Sequence, residues 1–138
     1  MTDKDAKAPL VHTLMVVEDD AIERMIYERV LKRSGIVANI LSFSYAEEAL
    51  AHLQDAGSDS VDAILLDINM PRMDGFEFLD ALKRQFGARF RAVVFMLTSS
   101  TNPRDAARAD TYAIVRDFFN KPLDDDLIAR IAEGVQTA

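Results

Sequence analysis

Apolar residues fall along this chain in short runs, each ended abruptly by polar or turn-forming residues, and between the runs they recur at helical spacing. The runs at residues 12–17, 37–43, 61–66, 92–97 and 115–119 have strand length and turn-type boundaries, so they read as strands. The first intervening helix presents Ile22, Met25, Ile26, Arg29, Val30 and Arg33 on one side and closes at Gly35. Asp20 with Glu23 three residues on has capping-box spacing at its start. Ser44 and Glu47 repeat that spacing ahead of a second helix carrying Ala46, Ala49, Leu50 and Leu53, which dissolves at Gly57-Ser58. Asp74 with Glu77 opens a third helix, continued by Phe76, Leu79, Leu82 and Phe86. Asn102 followed by Pro103 at the first helical position opens a fourth, running to about Tyr112. Leu123, Leu127, Ile128, Ile131 and Val135 mark the last.

Strand and helix thus alternate five times without repeat, linker or low-complexity tract, which implies a parallel sheet covered by helices on both faces. The expected architecture is a single doubly wound α/β domain, (βα)5 and flavodoxin-like, with a five-stranded parallel sheet of order 2-1-3-4-5. The unbroken apolar run at 92–97 suits a strand buried on both sides, and Arg116 and Asp117 make the last strand polar enough for an edge. Residues 1–9, ending at Pro9, read as a flexible lead-in, and residues 10–138 as the domain.

Composition narrows the chemistry. With 138 residues the chain has one domain's worth of core, and a net charge of −7 disfavours sequence-independent binding to nucleic acid or an anionic membrane. The absence of cysteine excludes disulfides, thiol catalysis and thiolate metal sites, and two distant histidines argue against a zinc cluster. No apolar stretch approaches the ~20 residues that span a bilayer. The polar N-terminus lacks the apolar core of a signal peptide, so a cytoplasmic location is expected.

What remains is a set of polar groups at strand ends. The expected strand order places the first and third strands side by side, which brings Glu18, Asp19 and Asp20 to Asp67. Carboxylates gathered this way repel unless some protonate or a cation holds them. An all-oxygen set without His or Cys favours a hard cation, Mg²⁺ or Mn²⁺. Thr98 ends the fourth strand with a hydroxyl, and Lys121 ends the fifth with an ammonium that Pro122 helps to aim. A carboxylate flanked by a metal, an ammonium and a hydroxyl is suited to attack phosphorus.

Glu18-Asp19-Asp20, Asp67 with Met70-Pro71-x-Met73-Asp74-Gly75, Thr98 and Lys121-Pro122 closely resemble the receiver domain of two-component response regulators. The resemblance spans residues 12–136 and implies that Asp67 accepts a phosphoryl group from a sensor histidine kinase or a histidine phosphotransfer protein. It implies Mg²⁺ ligation by Asp19, Asp67 and the backbone carbonyl of Asn69, with Glu18 acting through water. Thr98 and Lys121 would bind phosphoryl oxygens, and Asn69 and Ser100 would tune the lifetime of the adduct. Phe118, where the family commonly has tyrosine, would couple Thr98 to the surface of helix 4, strand 5 and helix 5, which an output protein reads. No Gly-Ala pair precedes the fifth strand, so the turn out of helix 4 departs from the family pattern. The resemblance implies no enzymatic turnover beyond the domain's own phosphorylation and dephosphorylation, and a monomer or phosphorylation-dependent dimer. The chain ends with the fifth helix, so it reads as a stand-alone regulator.

Other readings attach to the same residues. Asp20 and Asp74 are N-caps by spacing. Met70 and Met73 read as loop packing, His12 lies at the wrong end of the sheet for chemistry, and His52 reads as exposed. An FMN site needs a phosphate-cradling loop after the first strand, where three acids stand instead. Asp67-Ile68-Asn69 has some similarity to the Asp-x-Asp motif of haloacid-dehalogenase-type phosphatases, but that motif follows a first strand and works under a cap domain. A phosphorylation-independent interaction module would not need the complete acceptor set.

Overall fold

Each apolar run becomes a strand of one parallel sheet in the computed structural model, which describes residues 10–137. The strands are β1 (Val11–Val17), β2 (Val37–Phe43), β3 (Ala63–Leu66), β4 (Val93–Thr98) and β5 (Val115–Asn120). They alternate with α1 (Ala21–Ser34), α2 (Ala46–Ala56), α3 (Gly75–Phe86), α4 (Pro103–Ala109) and α5 (Asp125–Gln136). The order is β2-β1-β3-β4-β5, as expected of the doubly wound pattern, and every neighbouring pair is parallel, as the alternation predicts. The expected lead-in at residues 1–9 lies outside the described residues.

The period of two along each strand divides the core. Leu14 and Val16, Ala63 and Leu65, and Val93, Phe95 and Leu97 turn to one face, covered by Tyr27 and Leu31 of α1 and Ile128, Ile131 and Ala132 of α5. Met15 and Val17, Ile64 and Leu66, and Val94 and Met96 turn to the other, beneath Ala49 and Leu53 of α2, Phe76, Leu79 and Leu82 of α3, and Ala109 of α4. β2 and β5 form the edges and bury one residue each, Val37 and Phe119.

Several local expectations give way to tertiary partners. The side of α1 that carries the helically spaced apolar residues is largely exposed: Ile22 is 66%, Met25 51% and Ile26 46% accessible. The helix instead turns Glu23, Tyr27 and Leu31 inward, residues four apart and therefore on one face; Tyr27 and Leu31 are buried, and Glu23 reaches Lys121. Asp20 does cap α1, accepting from the Ile22 and Glu23 amides. The reciprocal half of that box is missing, because the Asp20 amide donates to Glu18. Ser44 caps nothing: the N-cap of α2 is Tyr45 with no side-chain bond, and Glu47 pairs with Arg72 at 3.1 Å. Arg72 in turn lies over the Tyr45 ring, 3.9 Å from its centre.

β3 starts at Ala63 rather than at Val61; just ahead of it Asp62 donates its amide to the Thr13 carbonyl, and its carboxylate accepts the His12 and Thr13 amides. α4 stops at Ala109; Tyr112 stacks on Phe76 and donates its hydroxyl to Asp80 at 2.7 Å. His52 is half-buried, not exposed, with its ring against Phe43 and its Nε2 buried without a partner among the described residues.

The Asp74–Glu77 box forms in full and fixes the start of α3. Gly75 follows, its amide donating to the Ile68 carbonyl at 2.8 Å, so the loop from Asp67 closes on itself. A Cβ at Gly75 would run into the Asp67 carbonyl oxygen and the Ile68 Cα, both backbone atoms. In an unobstructed helix glycine-to-alanine stabilises by about 1 kcal/mol. Here Gly75→Ala is expected to destabilise by about 1–3 kcal/mol in urea unfolding, the range of overpacking. A gain in stability would mean that the loop does not press on α3.

Candidate functional site

Three turns at the carboxyl edge of the sheet bring the polar groups together. The Glu18 amide extends the pairing with β2 by donating to the Phe43 carbonyl, and two residues later Asp20 starts α1. The chain therefore reverses across Glu18 and Asp19 and holds both at the strand end. Asp67 donates its amide to the Val17 carbonyl at 3.2 Å, which sets it beside Glu18. One carboxylate oxygen each from Glu18, Asp19 and Asp67 lie within 4.8 Å of one another. Glu18 and Asp67 are buried and Asp19 is exposed. Arg24 braces the turn from behind, its Nη1 donating to the carbonyls of Glu18 at 2.7 Å and Asp19 at 3.1 Å.

Lys121 arrives from the far side of the sheet. Its amide bonds the Thr98 carbonyl at 3.0 Å, tying the ends of β4 and β5, and the Lys121–Pro122 peptide is cis. Its Nζ donates to Glu23 Oε2 at 2.6 Å, Glu18 Oε1 at 3.0 Å and Asp67 Oδ2 at 3.2 Å. The other oxygen of Asp67 accepts the Ile68 amide at 2.7 Å.

Thr98 is fully buried, and its Oγ1 accepts the Ser100 amide at 3.2 Å. Ser100 hydrogen-bonds Asp105 through its hydroxyl, joining the end of β4 to the first turn of α4. Phe118 is half-buried and packs on the side of the sheet that α4 covers, with Tyr112, Ile114 and Val115. Asn69 is exposed, two residues beyond Asp67. Asp20 and Asp74 serve as helix caps, and His12 sits at the opposite end of β1.

Burial and the neighbouring Asp67 charge push the Glu18 carboxyl up to about 7, although hydrogen bonds from Lys121 and the Asp20 amide oppose the shift. Burial works against the Lys121 ammonium, yet its hydrogen bonds to Glu23 and Glu18 and the Asp67 charge outweigh that and raise its pKa. Tyr27 lies against the same ion group, its hydroxyl buried without a partner among the described residues and its pKa raised by that burial.

A sequence model of the response regulator receiver domain matches residues 14–133. The chain belongs to this family. The receiver is 31% identical over 136 residues to the probable methanogenesis regulatory protein FilR2 of Methanothrix harundinacea, covering 96% of this chain and 84% of that protein. It is 33% identical over 116 residues to the transcriptional regulatory protein FlgR of Helicobacter pylori, where 83% of this chain spans 27% of the longer one. Among solved structures, a two-component response regulator from Cytophaga hutchinsonii superposes with a TM-score of 0.86 at 26% identity, covering 93% of this chain and 98% of that one. The chemotaxis protein CheY4 of Vibrio cholerae superposes with a TM-score of 0.74 at 27% identity, covering 90% and 98%.

Receivers are signalling modules of two-component systems, and phosphorylation and Mg²⁺ are typical of them. The donor set here fits such an ion: three carboxylates in mutual reach, all hard oxygen, with an exposed member giving access from solvent. Reading strand ends leads to Glu18, Asp19, Asp67, Thr98 and Lys121. It misses Glu23 and Arg24, whose side chains reach the site from the first turn of α1. The available signal was the position of Asp20, since a cap there puts the next helical turn directly over the acids.

The raised Glu18 carboxyl has a consequence for stability. Between about 4.5 and about 7 the unfolded chain releases a proton that folded Glu18 retains. This group's contribution to stability therefore falls as pH rises through that window and stays low above it. Urea unfolding of the metal-free protein is expected to show the decline, and Glu18→Gln or added Mg²⁺ to flatten it. A slope identical in wild type and Glu18→Gln would contradict the assignment.

Proposed function

We propose that this receiver is a phosphorylation switch in which Asp67 takes a phosphoryl group from a phosphohistidine on a sensor histidine kinase or histidine phosphotransfer protein. The observation that carries the reading is the double neighbourhood of Asp67. Its Oδ2 lies 3.2 Å from the Lys121 ammonium, while the same carboxylate belongs to the three-acid cluster. Phosphoryl transfer asks a protein mostly for position and charge neutralisation, and both neutralising partners meet at this one side chain.

In the reaction an Asp67 oxygen attacks phosphorus, the phosphorus–nitrogen bond to the donor imidazole breaks, and an acyl phosphate is left on Asp67. Asp19, Asp67 and the Asn69 carbonyl, with Glu18 through water, would hold Mg²⁺ (Mn²⁺ would serve as well), which supplies positive charge to the phosphoryl oxygens. Lys121 binds one of those oxygens and the Thr98 hydroxyl another, giving up its bond with the Ser100 amide. Asn69 and Ser100 flank the adduct and tune water access to it. Phe118 lies on the α4 side of the sheet and reports the movement of Thr98 to the α4–β5–α5 surface. The exposed Ile22, Met25 and Ile26, on the first turns of α1 beside the acids, give a protein donor an apolar surface to grip.

The output partner is a protein, and the domain acts in the cytoplasm as a monomer or a phosphorylation-dependent dimer. The net charge of −7 disfavours nucleic acid and anionic membrane as partners, and among the described residues no helix is long and apolar enough to cross a membrane. The domain turns over no substrate beyond its own phosphorylation and dephosphorylation.

Incubation with Mg²⁺ and acetyl phosphate is expected to add one phosphoryl group, stable in acid and labile in base, that is absent without the metal and in Asp67→Asn. Equal labelling of Asp67→Asn would refute the assignment. In Lys121→Ala the group is still taken up, but the amide NMR shifts of α4, β5 and α5 that follow phosphorylation in the wild type do not appear. If those shifts persisted, the lysine would have no part in the switch.

A further inference from the structure

An ammonium has three N–H donors, and all three of Lys121 are occupied by carboxylates before any phosphoryl group arrives. Binding a phosphoryl oxygen therefore requires one carboxylate to let go. The three are not equivalent. Glu18 and Asp67 belong to the metal-type cluster, and their side chains are 3% and 7% exposed. Glu23 lies outside that cluster, comes from α1 rather than from a strand end, and is 33% exposed. Water can take over its carboxylate at the smallest desolvation penalty. Yet it makes the shortest of the three bonds, at 2.6 Å.

We propose that Glu23 is a resident anion that holds Lys121 in the resting state and that the phosphoryl group on Asp67 must displace it. Glu23 is thus a positioning residue acting through Lys121, and it sets how readily the domain is phosphorylated and how tightly the resting state is kept. The inference rests on Asp67 as acceptor. It adds a residue that the capping-box spacing explains away: the Glu23 side chain does not return to the Asp20 amide, which Glu18 occupies.

The test compares initial rates of phosphorylation by acetyl phosphate at saturating Mg²⁺ in wild type, Glu23→Gln, Lys121→Ala and the double variant. Glutamine keeps the size and reach of the side chain, removes its charge and turns one acceptor oxygen into an amide donor, leaving a weaker neutral bond to the ammonium. Glu23→Gln is expected to be phosphorylated about two- to fivefold faster, the range for exchanging one partly exposed charged contact. The gain is expected to vanish in the Lys121→Ala background, as a double-mutant cycle requires of a residue acting through the lysine. An unchanged or slower rate in Glu23→Gln would overturn the proposal. So would an equal gain in the Lys121→Ala background, which would reduce Glu23 to a distant charge. Failure of the wild type itself to be labelled would instead overturn the acceptor reading on which the proposal rests.

Discussion

Carboxylates from Glu18, Asp19 and Asp67 stand within 4.8 Å of one another at the end of a sheet, with Glu23 close by, and one ammonium faces them. Lys121 is bonded to Glu18, Glu23 and Asp67 together. The site depends on this imbalance. A cluster of acids at the surface would spread into water, but here two of them are buried and fixed by strand pairing, so repulsion has to be met in place. Lys121 meets part of it, and proton retention by Glu18 meets more. The remaining deficit of positive charge would suit a divalent cation.

The fold supplies the positions rather than the charge. Strand order puts β1 between β2 and β3, and the ends of β1 and β3 next to each other. Gly75 lets the start of α3 press against the Asp67 backbone. Arg24 bonds two consecutive carbonyls of the acidic turn. On the other side, Ser100 joins Thr98 to Asp105 of α4, and Asn120 of β5 donates to the Ser100 carbonyl at 2.7 Å. A change at Thr98 is thereby connected to the elements that would carry a signal outward.

Much of this was legible in the sequence, for physical reasons that also explain the failures. Buried parallel strands need continuous apolar runs, so the central strands could be read directly, and the order followed from the usual central place of the first strand in a doubly wound sheet. Asp74 with Glu77 was legible because both halves of the box lie within one helical turn. Ser44 with Glu47 has the same spacing, but Glu47 finds Arg72, which no local rule foresees. α1 carries apolar residues on more than one side, and sequence period alone chose Ile22, Met25 and Ile26. Glu23, Tyr27 and Leu31 lie on the adjoining face, where Glu23 pairs with Lys121, 98 residues along the chain. His52 looked exposed by helical phase and is half-buried because Phe43 of the edge strand leans over it. Residues at strand ends could thus be assembled from topology, while those reaching the site from a helix could not.

The proposed mechanism puts the phosphoryl group on Asp67 rather than on any of the acids around it. Borohydride reduces an acyl phosphate to an alcohol, turning a phosphorylated aspartate into homoserine at the same position. Treatment of the Mg²⁺- and acetyl phosphate-loaded protein, followed by peptide sequencing in the mass spectrometer, is predicted to find homoserine at position 67 alone. Reduction at Glu18, Asp19 or Glu23, or at no carboxylate, would contradict Asp67 as the acceptor.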